Sequence, residues 1–356
     1  MCSRFEMEPL NTKRSTSSRT DPLRKVESLT FRSWWHLLAR YTSVVETRDS
    51  IRTVLKIMAH RGFRHLPVVS DGKLIGIVSA GDLIDLFTRN DSELSSTSHA
   101  AFVESQGERL LHTLRNPVST ISNPNPVTIS PDETILEAIE TLSTKNVGSL
   151  LIVEGLRRMD SKASRTETTA LHGSNGKLLG IVTLRDVVSV LAAYAPFGIK
   201  VEDFMTREVA TVSETDSVYS AMSLMSRKGV RRLPVLTTAR DPASGRSIIG
   251  MVTNKMILRY LESVISYEML DVGSALKQAV KTVMMASMPL IDPREDCGNA
   301  AYLMRDIGTG GFAVVDSDGL VGVITERDLV RRTYKKEGVS FFSKLFETGD
   351  ARVQDI

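Results

Sequence analysis

The sequence predicts a mixed α/β fold that is built from four copies of one short repeat. Each copy contains a glycine, a short apolar run, a hydroxyl residue and a helix-like stretch, beginning near Ile75, Leu179, Ile249 and Val321. A second apolar strand lies upstream in every copy. An amphipathic helix pattern precedes that second strand. Strands that alternate with helices in this way are typical of layered α/β packing.

The upstream helix carries apolar residues at positions i, i+3, i+4 and i+7, which form one helix face. The first copy has Ile51, Val54, Leu55 and Met58, and the spacing recurs from Ile135, Val218 and Cys297. The order predicted for each copy is therefore strand, helix, strand, strand, helix. The turns at 70–73 and 316–319 are rich in Asp and Gly, as tight hairpins require. Longer polar inserts at 154–176 and 237–247 are expected to form mobile flaps.

Composition narrows the class of protein. The chain has 356 residues, with 45 Lys plus Arg against 42 Asp plus Glu, so its net charge is only +3. That balance gives no support for bulk binding of nucleic acid or membranes. The two cysteines are too few for a disulfide framework and favour a reducing cytoplasm. The N-terminus has no apolar core of a secretory signal, and no apolar run is long enough to span a bilayer.

One repeat is too small to bury both its helices and its sheet, so the copies are expected to pair through their sheets. A linker-like stretch at 195–198 divides them two by two. We predict a partly disordered N-terminal arm at 1–40, a first module of two repeats at 41–194, a second module at 200–335, and a C-terminal tail at 336–356.

Two motifs identify the repeat. Gly62 and Gly229 each begin a Gly-x-x-x-x-Pro-Val stretch, and three of the four copies carry Gly-x-x-[Ser/Thr]-x-x-Asp. Together these motifs resemble cystathionine β-synthase (CBS) repeats, and a pair of copies resembles a Bateman module. Four copies in one chain are similar to the gamma subunits of AMP-activated protein kinase. That resemblance covers about three quarters of the chain and implies two modules assembled into a flat disk.

The resemblance implies an adenine nucleotide ligand, AMP, ADP or ATP, in clefts between paired repeats, and no catalytic cofactor or metal. It assigns phosphate contacts to the hydroxyl residue and ribose contacts to the acid in the pairs Ser79 and Asp82, Thr183 and Asp186, and Thr325 and Asp328. The same spacing is also that of a helix N-cap, in which the hydroxyl and the acid bond to backbone amides. Both interpretations stay open. The third copy has Thr253 but Met256 in place of the acid, so its site is expected to bind most weakly.

Further candidate nucleotide-binding residues line the strand starts and helix starts. They are Phe63, Arg64, His65, Leu66, Pro67, Thr128, Val147, Gly148, Ser149, Arg185, Thr211, Val230, Arg231, Arg232, Pro234, Thr309, Gly311, Phe312 and Arg327. Because a strand alternates its faces, only one residue of Arg64 and His65, and one of Arg231 and Arg232, is expected to point into the cleft.

The function favoured is a non-catalytic, cytoplasmic regulatory protein that senses an adenine nucleotide as an energy or metabolite signal. The alternatives are an interaction scaffold with degenerate sites and a sensor of S-adenosylmethionine. No nucleophile and base pairing, Walker loop or metal-ligand spacing indicates an enzyme. A protein partner and homo-oligomerisation stay open, whereas membrane and nucleic-acid partners are not favoured.

Overall fold

The computed structural model describes residues 43–88, 107, 109–154, 177–241, 245–267, 271–317, 319–332 and 334. The N-terminal arm, the insert at 155–176 and the C-terminal tail lie outside these residues. Within them the chain forms four repeats in chain order, each with the predicted strand, helix, strand, strand, helix pattern. The predicted mixed α/β class is therefore confirmed. Among the described helices, none combines the length and the apolar character needed to cross a membrane.

The first two repeats have nearly equal elements. Repeat 1 contains β1 (Val45–Glu46), α1 (Ile51–Arg61), β2 (His65–Ser70), β3 (Lys73–Ser79) and α2 (Ala80–Thr88). Repeat 2 contains β4 (Thr128–Ile129), α3 (Ile135–Thr144), β5 (Ser149–Glu154), β6 (Lys177–Thr183) and α4 (Leu184–Leu191).

Repeats 3 and 4 each begin with a short helix, and residues 109–113, which precede the first strand of repeat 2, are helical as well. Repeat 3 contains α5 (Val201–Phe204), β7 (Val212–Ser213), α6 (Val218–Lys228), β8 (Arg232–Asp241), β9 (Gly245–Thr253) and α7 (Asn254–Tyr267). Repeat 4 contains α8 (Val272–Lys277), β10 (Leu290–Ile291), α9 (Cys297–Ile307), β11 (Gly311–Asp316), β12 (Gly319–Thr325) and α10 (326–332). The prediction of a mobile flap at 237–247 is wrong for the described residues 237–241 and 245–247. The strands β8 and β9 extend into this stretch and pair Arg240 with Arg246.

Each repeat has the same small sheet. Its first strand pairs parallel with the second, and the second pairs antiparallel with the third, as in β1, β2 and β3. Repeats 1 and 2 join into one six-stranded sheet in the order β1-β2-β3-β6-β5-β4, through the pairing of Lys73 with Lys177. The sheets of repeats 3 and 4 have three strands each.

Local sequence fixes the helix ends. Ser50 caps α1, because its hydroxyl accepts a hydrogen bond from the Thr53 amide at 3.2 Å. Gly62 ends the same helix with φ = 71°, a left-handed conformation that favours glycine. Ser217 and Gly229 begin and end α6 in the same way. The motif glycine before each Pro-Val strand is thus a helix stop.

Helices pair across the chain in a way that the sequence did not predict. The helices α1 and α2 of repeat 1 pack against α7 and α6 of repeat 3, and α4 of repeat 2 packs against α9 of repeat 4. The predicted apolar helix faces are buried there, including Ile51, Val54, Leu55 and Met58, which are at most 1% exposed. Two hydrophobic cores result, one shared by repeats 1 and 3 and one by repeats 2 and 4.

The segment that precedes the first strand of a repeat, here called the lead-in segment, crosses onto a neighbouring repeat. The lead-in segment of repeat 2 pairs Asn123 with Ile77 of repeat 1 through hydrogen bonds of 3.0 and 2.8 Å. Met285 pairs with Met251, and Thr206 pairs with Val323, in the equivalent places. Repeats 3 and 4 therefore exchange lead-in segments, which brings 201–206 to the junction of β12 and α10.

The motif glycine of the third strand makes this crossing possible. A Cβ atom on Gly76 would lie 2.6 Å from the Asn123 carbonyl oxygen, which belongs to the backbone and cannot swing away. We therefore expect Gly76→Ala to lower the free energy of unfolding by about 1–3 kcal/mol in chemical denaturation, because the lead-in segment must shift. Gly81→Ala is the control, since its Cβ would meet its nearest neighbour at 3.4 Å. Equal stability of the two variants would contradict the close approach.

Candidate functional site

A cleft opens between repeats 3 and 4 and reaches the centre of the molecule. The start of β8, the junction of β12 with α10, and the lead-in segment of repeat 3 with the residues after it form its walls. Repeats 1 and 2 contribute one side chain each. The lining residues are Arg64, Leu184, Thr206, Glu208, Val209, Ala210, Gly229, Val230, Arg231, Arg232, Pro234, Gly310, Val323, Thr325, Glu326, Arg327 and Asp328.

The cleft brings together part of the predicted residue set. The predicted residues that line it are Arg64, Val230, Arg231, Arg232, Pro234, Thr325, Arg327 and Asp328. Sequence reasoning missed Thr206, Glu208, Val209 and Ala210, because the segment between the linker at 195–198 and β7 carries neither motif of the repeat. It also missed Glu326, although this residue lies between two predicted ones. The signal in the sequence that could have indicated this wall is the hydroxyl residue Thr206, at the end of the lead-in segment of repeat 3.

The other predicted residues do not line this cleft. They are Phe63, His65, Leu66, Pro67, Ser79, Asp82, Thr128, Val147, Gly148, Ser149, Thr183, Arg185, Asp186, Thr211, Thr253, Thr309, Gly311 and Phe312. Leu66 and Phe312 are each 1% exposed, and their side chains lie in the two hydrophobic cores. Apolar side chains on the core face of a strand cannot also contact a ligand in the cleft, so we leave these two out of the proposed site.

The hydroxyl and acid pairs form N-terminal caps in all three copies. Both the amide and the hydroxyl of Thr325 donate to Asp328 Oδ2, at 2.9 and 2.6 Å. Ser79 with Asp82, and Thr183 with Asp186, have the same geometry. The capping interpretation therefore describes real contacts, and a ribose contact would be additional to them.

The second oxygen of Asp328 contacts the lead-in segment of repeat 3. Asp328 Oδ1 accepts a hydrogen bond from the Thr206 hydroxyl at 3.3 Å and lies 3.8 Å from Arg332 Nε. Burial raises the pKa of Asp328, and the hydrogen bond from Thr325 opposes that rise. The Asp328 carboxylate thus lies on the wall of the cleft. Its Oδ2 accepts the hydrogen bonds of the cap, and its Oδ1 accepts one from the lead-in segment of repeat 3.

The third copy lacks this carboxylate. The Thr253 hydroxyl accepts a hydrogen bond from the Met256 amide at 3.3 Å, so the cap survives without an acid. Asn254 is buried, and its side-chain oxygen accepts from the Lys255 amide at 2.8 Å. Nothing at Met256 can accept the hydroxyls of a ribose, because a thioether is at most a weak acceptor.

Basic residues from three repeats converge on the inner end of the cleft. Arg231 and Arg232 both line it, so the expectation that only one of them faces inward is wrong. The reason is that Arg231 lies in the bend before β8, where strand alternation does not apply. Arg64 lies in the equivalent bend before β2, and both it and His65 face the centre.

Two glycines make room for these side chains. A Cβ atom on Gly148 would lie 2.7 Å from Arg231 Nη2 and 3.1 Å from His65 Nε2. A Cβ atom on Gly310 would lie 2.5 Å from Arg232 Nη2. Gly148, a predicted nucleotide-binding residue, and Gly310 therefore leave room for arginine side chains from repeat 3.

A buried carboxylate lies among these cations. Glu326 accepts two hydrogen bonds from Arg64, at 2.9 and 3.1 Å, and one from Arg185 Nε at 3.1 Å. Its side chain is only 5% exposed. Burial alone would raise the pKa of Glu326, but Arg64 and Arg185 outweigh burial and hold that pKa below its ordinary value. Glu326 is therefore ionised at neutral pH and links repeat 4 to repeats 1 and 2.

The surrounding basic groups differ in their charge at neutral pH. Burial lowers the pKa of Arg231 and of Arg232 to about 10, so both stay charged. Burial and the neighbouring Arg231 and Arg64 lower the pKa of His65 to about 3, so His65 is neutral. The centre is thus rich in arginine charge, with a neutral imidazole beside it.

The low pKa of His65 predicts a loss of stability in acid. The unfolded chain takes up a proton on this residue below its ordinary pKa of 6.5, whereas the folded protein does so only near 3. We expect His65→Gln to reduce the fall in unfolding free energy between pH 6.5 and 4, by up to about 1.4 kcal/mol per pH unit. Denaturant titrations at each pH measure it. The control is His112→Gln, which changes an exposed residue, and a matching effect there would refute the assignment.

Comparisons with known proteins agree with this architecture. The family described as CBS domain matches residues 41–89, 118–158, 201–263 and 280–335, together more than half of the chain. A 33.4 kDa protein of a ribosomal RNA operon in Thermofilum pendens is 28% identical over 310 residues, which cover 84% of this chain and 90% of that protein. Protein MJ1225 of Methanocaldococcus jannaschii is 25% identical over 79% of this chain and 91% of its own length.

The crystal structure of MJ1225, described as a proposed archaeal homologue of g-AMPK, superposes with a TM-score of 0.66. It is 23% identical in that comparison and covers 84% of this chain and 98% of its own, so it supports the fold alone. The four repeats, their glycine and Thr-Asp motifs, and the family match lead to one conclusion. This chain belongs to the CBS domain family.

Proposed function

We propose that this protein is a non-catalytic regulatory protein that binds an adenine nucleotide, AMP, ADP or ATP, in the cleft between repeats 3 and 4. The observation that carries the proposal is the composition of that one cleft. It combines the Asp328 carboxylate on one wall with Arg231, Arg232 and Arg327 at the inner end.

Each part of a nucleotide has a matching group. The Asp328 carboxylate can accept hydrogen bonds from the two hydroxyls of a ribose. The arginines can bind phosphate oxygens through charge-assisted hydrogen bonds. The apolar side chains of Val209, Val230 and Pro234 offer a surface for a flat base.

The same cleft supports a regulatory role. Arg64 of repeat 1 and Leu184 of repeat 2 reach a site that otherwise belongs to repeats 3 and 4. A ligand there would contact both halves of the predicted architecture, 41–194 and 200–335. Regulation then requires that the ligand bind two arrangements of these halves with different affinity.

Calorimetric titration of ligand-free protein with AMP, ADP, ATP and S-adenosylmethionine tests the proposal. We expect the nucleotides to bind and S-adenosylmethionine to bind more weakly, because its sulfonium charge would lie near four arginines. Tighter binding of S-adenosylmethionine would overturn the nucleotide assignment. Binding of none of the four would leave the interaction scaffold as the better account.

A further inference from the structure

Glu326 is the acidic side chain at the point where all four repeats meet. Arg64 of repeat 1 and Arg185 of repeat 2 donate hydrogen bonds to it. Arg232 of repeat 3 lies against Gly310, and so does the Glu326 carboxyl carbon, 3.2 Å from the position of a Cβ there. The carboxylate therefore lies within the cluster of cations that the proposed site would offer to phosphate.

Glu326 engages one of these cations fully. Arg64 uses both terminal nitrogens of its guanidinium on the two oxygens of Glu326, which is the bidentate geometry that it would otherwise offer to a phosphate. Within the described residues, the side chains of Arg231, Arg232 and Arg327 make no hydrogen bond or salt bridge. These three arginines can bind an anion without breaking another side-chain hydrogen bond, whereas Arg64 must first release Glu326.

The charges that line the cleft also indicate that Glu326 opposes the binding of phosphate. Its lining holds four arginines and three acidic residues, Glu208, Glu326 and Asp328. Of the three, Glu326 lies deepest among the arginines and is ionised, so it repels a ligand phosphate most strongly. Each further negative charge on the ligand increases that repulsion, because water cannot screen it well in a buried site.

Resting on the proposed nucleotide site, we propose that Glu326 selects the ligand by its charge. It holds Arg64 as an internal counter-ion and thereby favours an adenosine ligand with one phosphate over one with two or three. A ligand that displaces Glu326 from Arg64 also breaks the bonds that tie repeat 4 to repeat 1. Glu326 is then a specificity-determining residue, and its removal should matter more for each added phosphate.

The test is Glu326→Gln, which keeps the size of the side chain and removes its charge. Calorimetry with adenosine, AMP, ADP and ATP should show unchanged adenosine binding, AMP bound about tenfold more tightly, and a larger gain for ATP than for AMP. Unchanged or weaker nucleotide binding, or an equal gain for adenosine, would overturn the proposal. The deciding result is that the gain in affinity grows with the charge of the ligand. A general change in the shape of the cleft would not produce that trend.

Glu208→Gln is the matched control. It makes the same change of charge at an exposed residue of the same cleft that has no bond to Arg64. We expect its effect on AMP and ATP to stay within about threefold, because solvent screens an exposed charge. An equal gain in both variants would show that the cleft responds to total charge and that Glu326 has no special role.

A double variant guards against misfolding, since Glu326→Gln leaves Arg64 without its counter-charge. Arg64→Gln combined with Glu326→Gln removes both charges, and we expect AMP affinity within about threefold of the wild type, because the released cation is gone. A tenfold gain in the double variant would overturn the role given to Arg64.

Inorganic phosphate separates a failure of this inference from a failure of the proposed function. If no form binds a nucleotide, the proposed function fails. Phosphate alone should still raise the melting temperature of Glu326→Gln more than that of the wild type, because it can take the place of the missing carboxylate on Arg64. Equal shifts in the two proteins would refute the counter-ion role itself.

Discussion

Asp328→Asn is expected to weaken AMP binding about ten- to hundredfold, which corresponds to roughly 1.5–3 kcal/mol. Asparagine retains one oxygen, which can keep the cap with Thr325, but it replaces the second acceptor by a donor. The ribose hydroxyls would then face an amide group where the proposed site offers them Asp328 Oδ1. Calorimetric titration of variant and wild type with AMP measures the change.

The control for the cap is Asp271→Asn. Asp271 is exposed and caps α8 through the Ser274 amide at 2.9 Å, away from the cleft. It should change the unfolding free energy by no more than about 1 kcal/mol and leave AMP affinity unchanged. If Asp328→Asn behaves like Asp271→Asn, the pair of Thr325 and Asp328 is only a helix cap, and the ribose assignment is wrong. Asp82→Asn and Asp186→Asn extend the same comparison to repeats 1 and 2.

Leu261→Ala should lower the free energy of unfolding by about 2–5 kcal/mol, the largest stability effect that we predict. Leu261 lies on α7 with no exposed surface, in the core that repeats 1 and 3 share. Truncation leaves a cavity between helices that come from distant parts of the chain, so no local adjustment can fill it. Equilibrium denaturation in urea measures the change.

Tyr267→Ala provides the comparison on the same helix. Tyr267 ends α7 and is 75% exposed, so its truncation should change stability by less than about 0.5 kcal/mol. A cost below about 1 kcal/mol for Leu261→Ala would mean that α7 does not contribute to a shared core. A large cost for both would show that α7 is stabilised by contacts other than this core.

Local pattern predicted the elements and part of the site. The i, i+3, i+4, i+7 spacing gives the buried face of a helix whatever that helix meets, and Ile51 and Met58 are buried as predicted. Gly62 ends a helix and Asp328 caps one. Both features were predictable because each depends only on residues a few positions away in the chain. The division into modules at 41–194 and 200–335 stays a prediction, as do the nucleotide contacts of Thr183 and Asp186.

The sequence by itself therefore determined the four repeats, their helix faces and the Thr-Asp junctions, because each depends on neighbours within one or two turns of chain. Only the tertiary structure decided which repeats share a core, because all four copies present similar apolar faces and nothing local distinguishes their partners. The tertiary structure also determined that Glu326 is buried, which its charge alone would not predict. That residue is buried only because Arg64 and Arg185, from repeats far along the chain, supply the opposite charge.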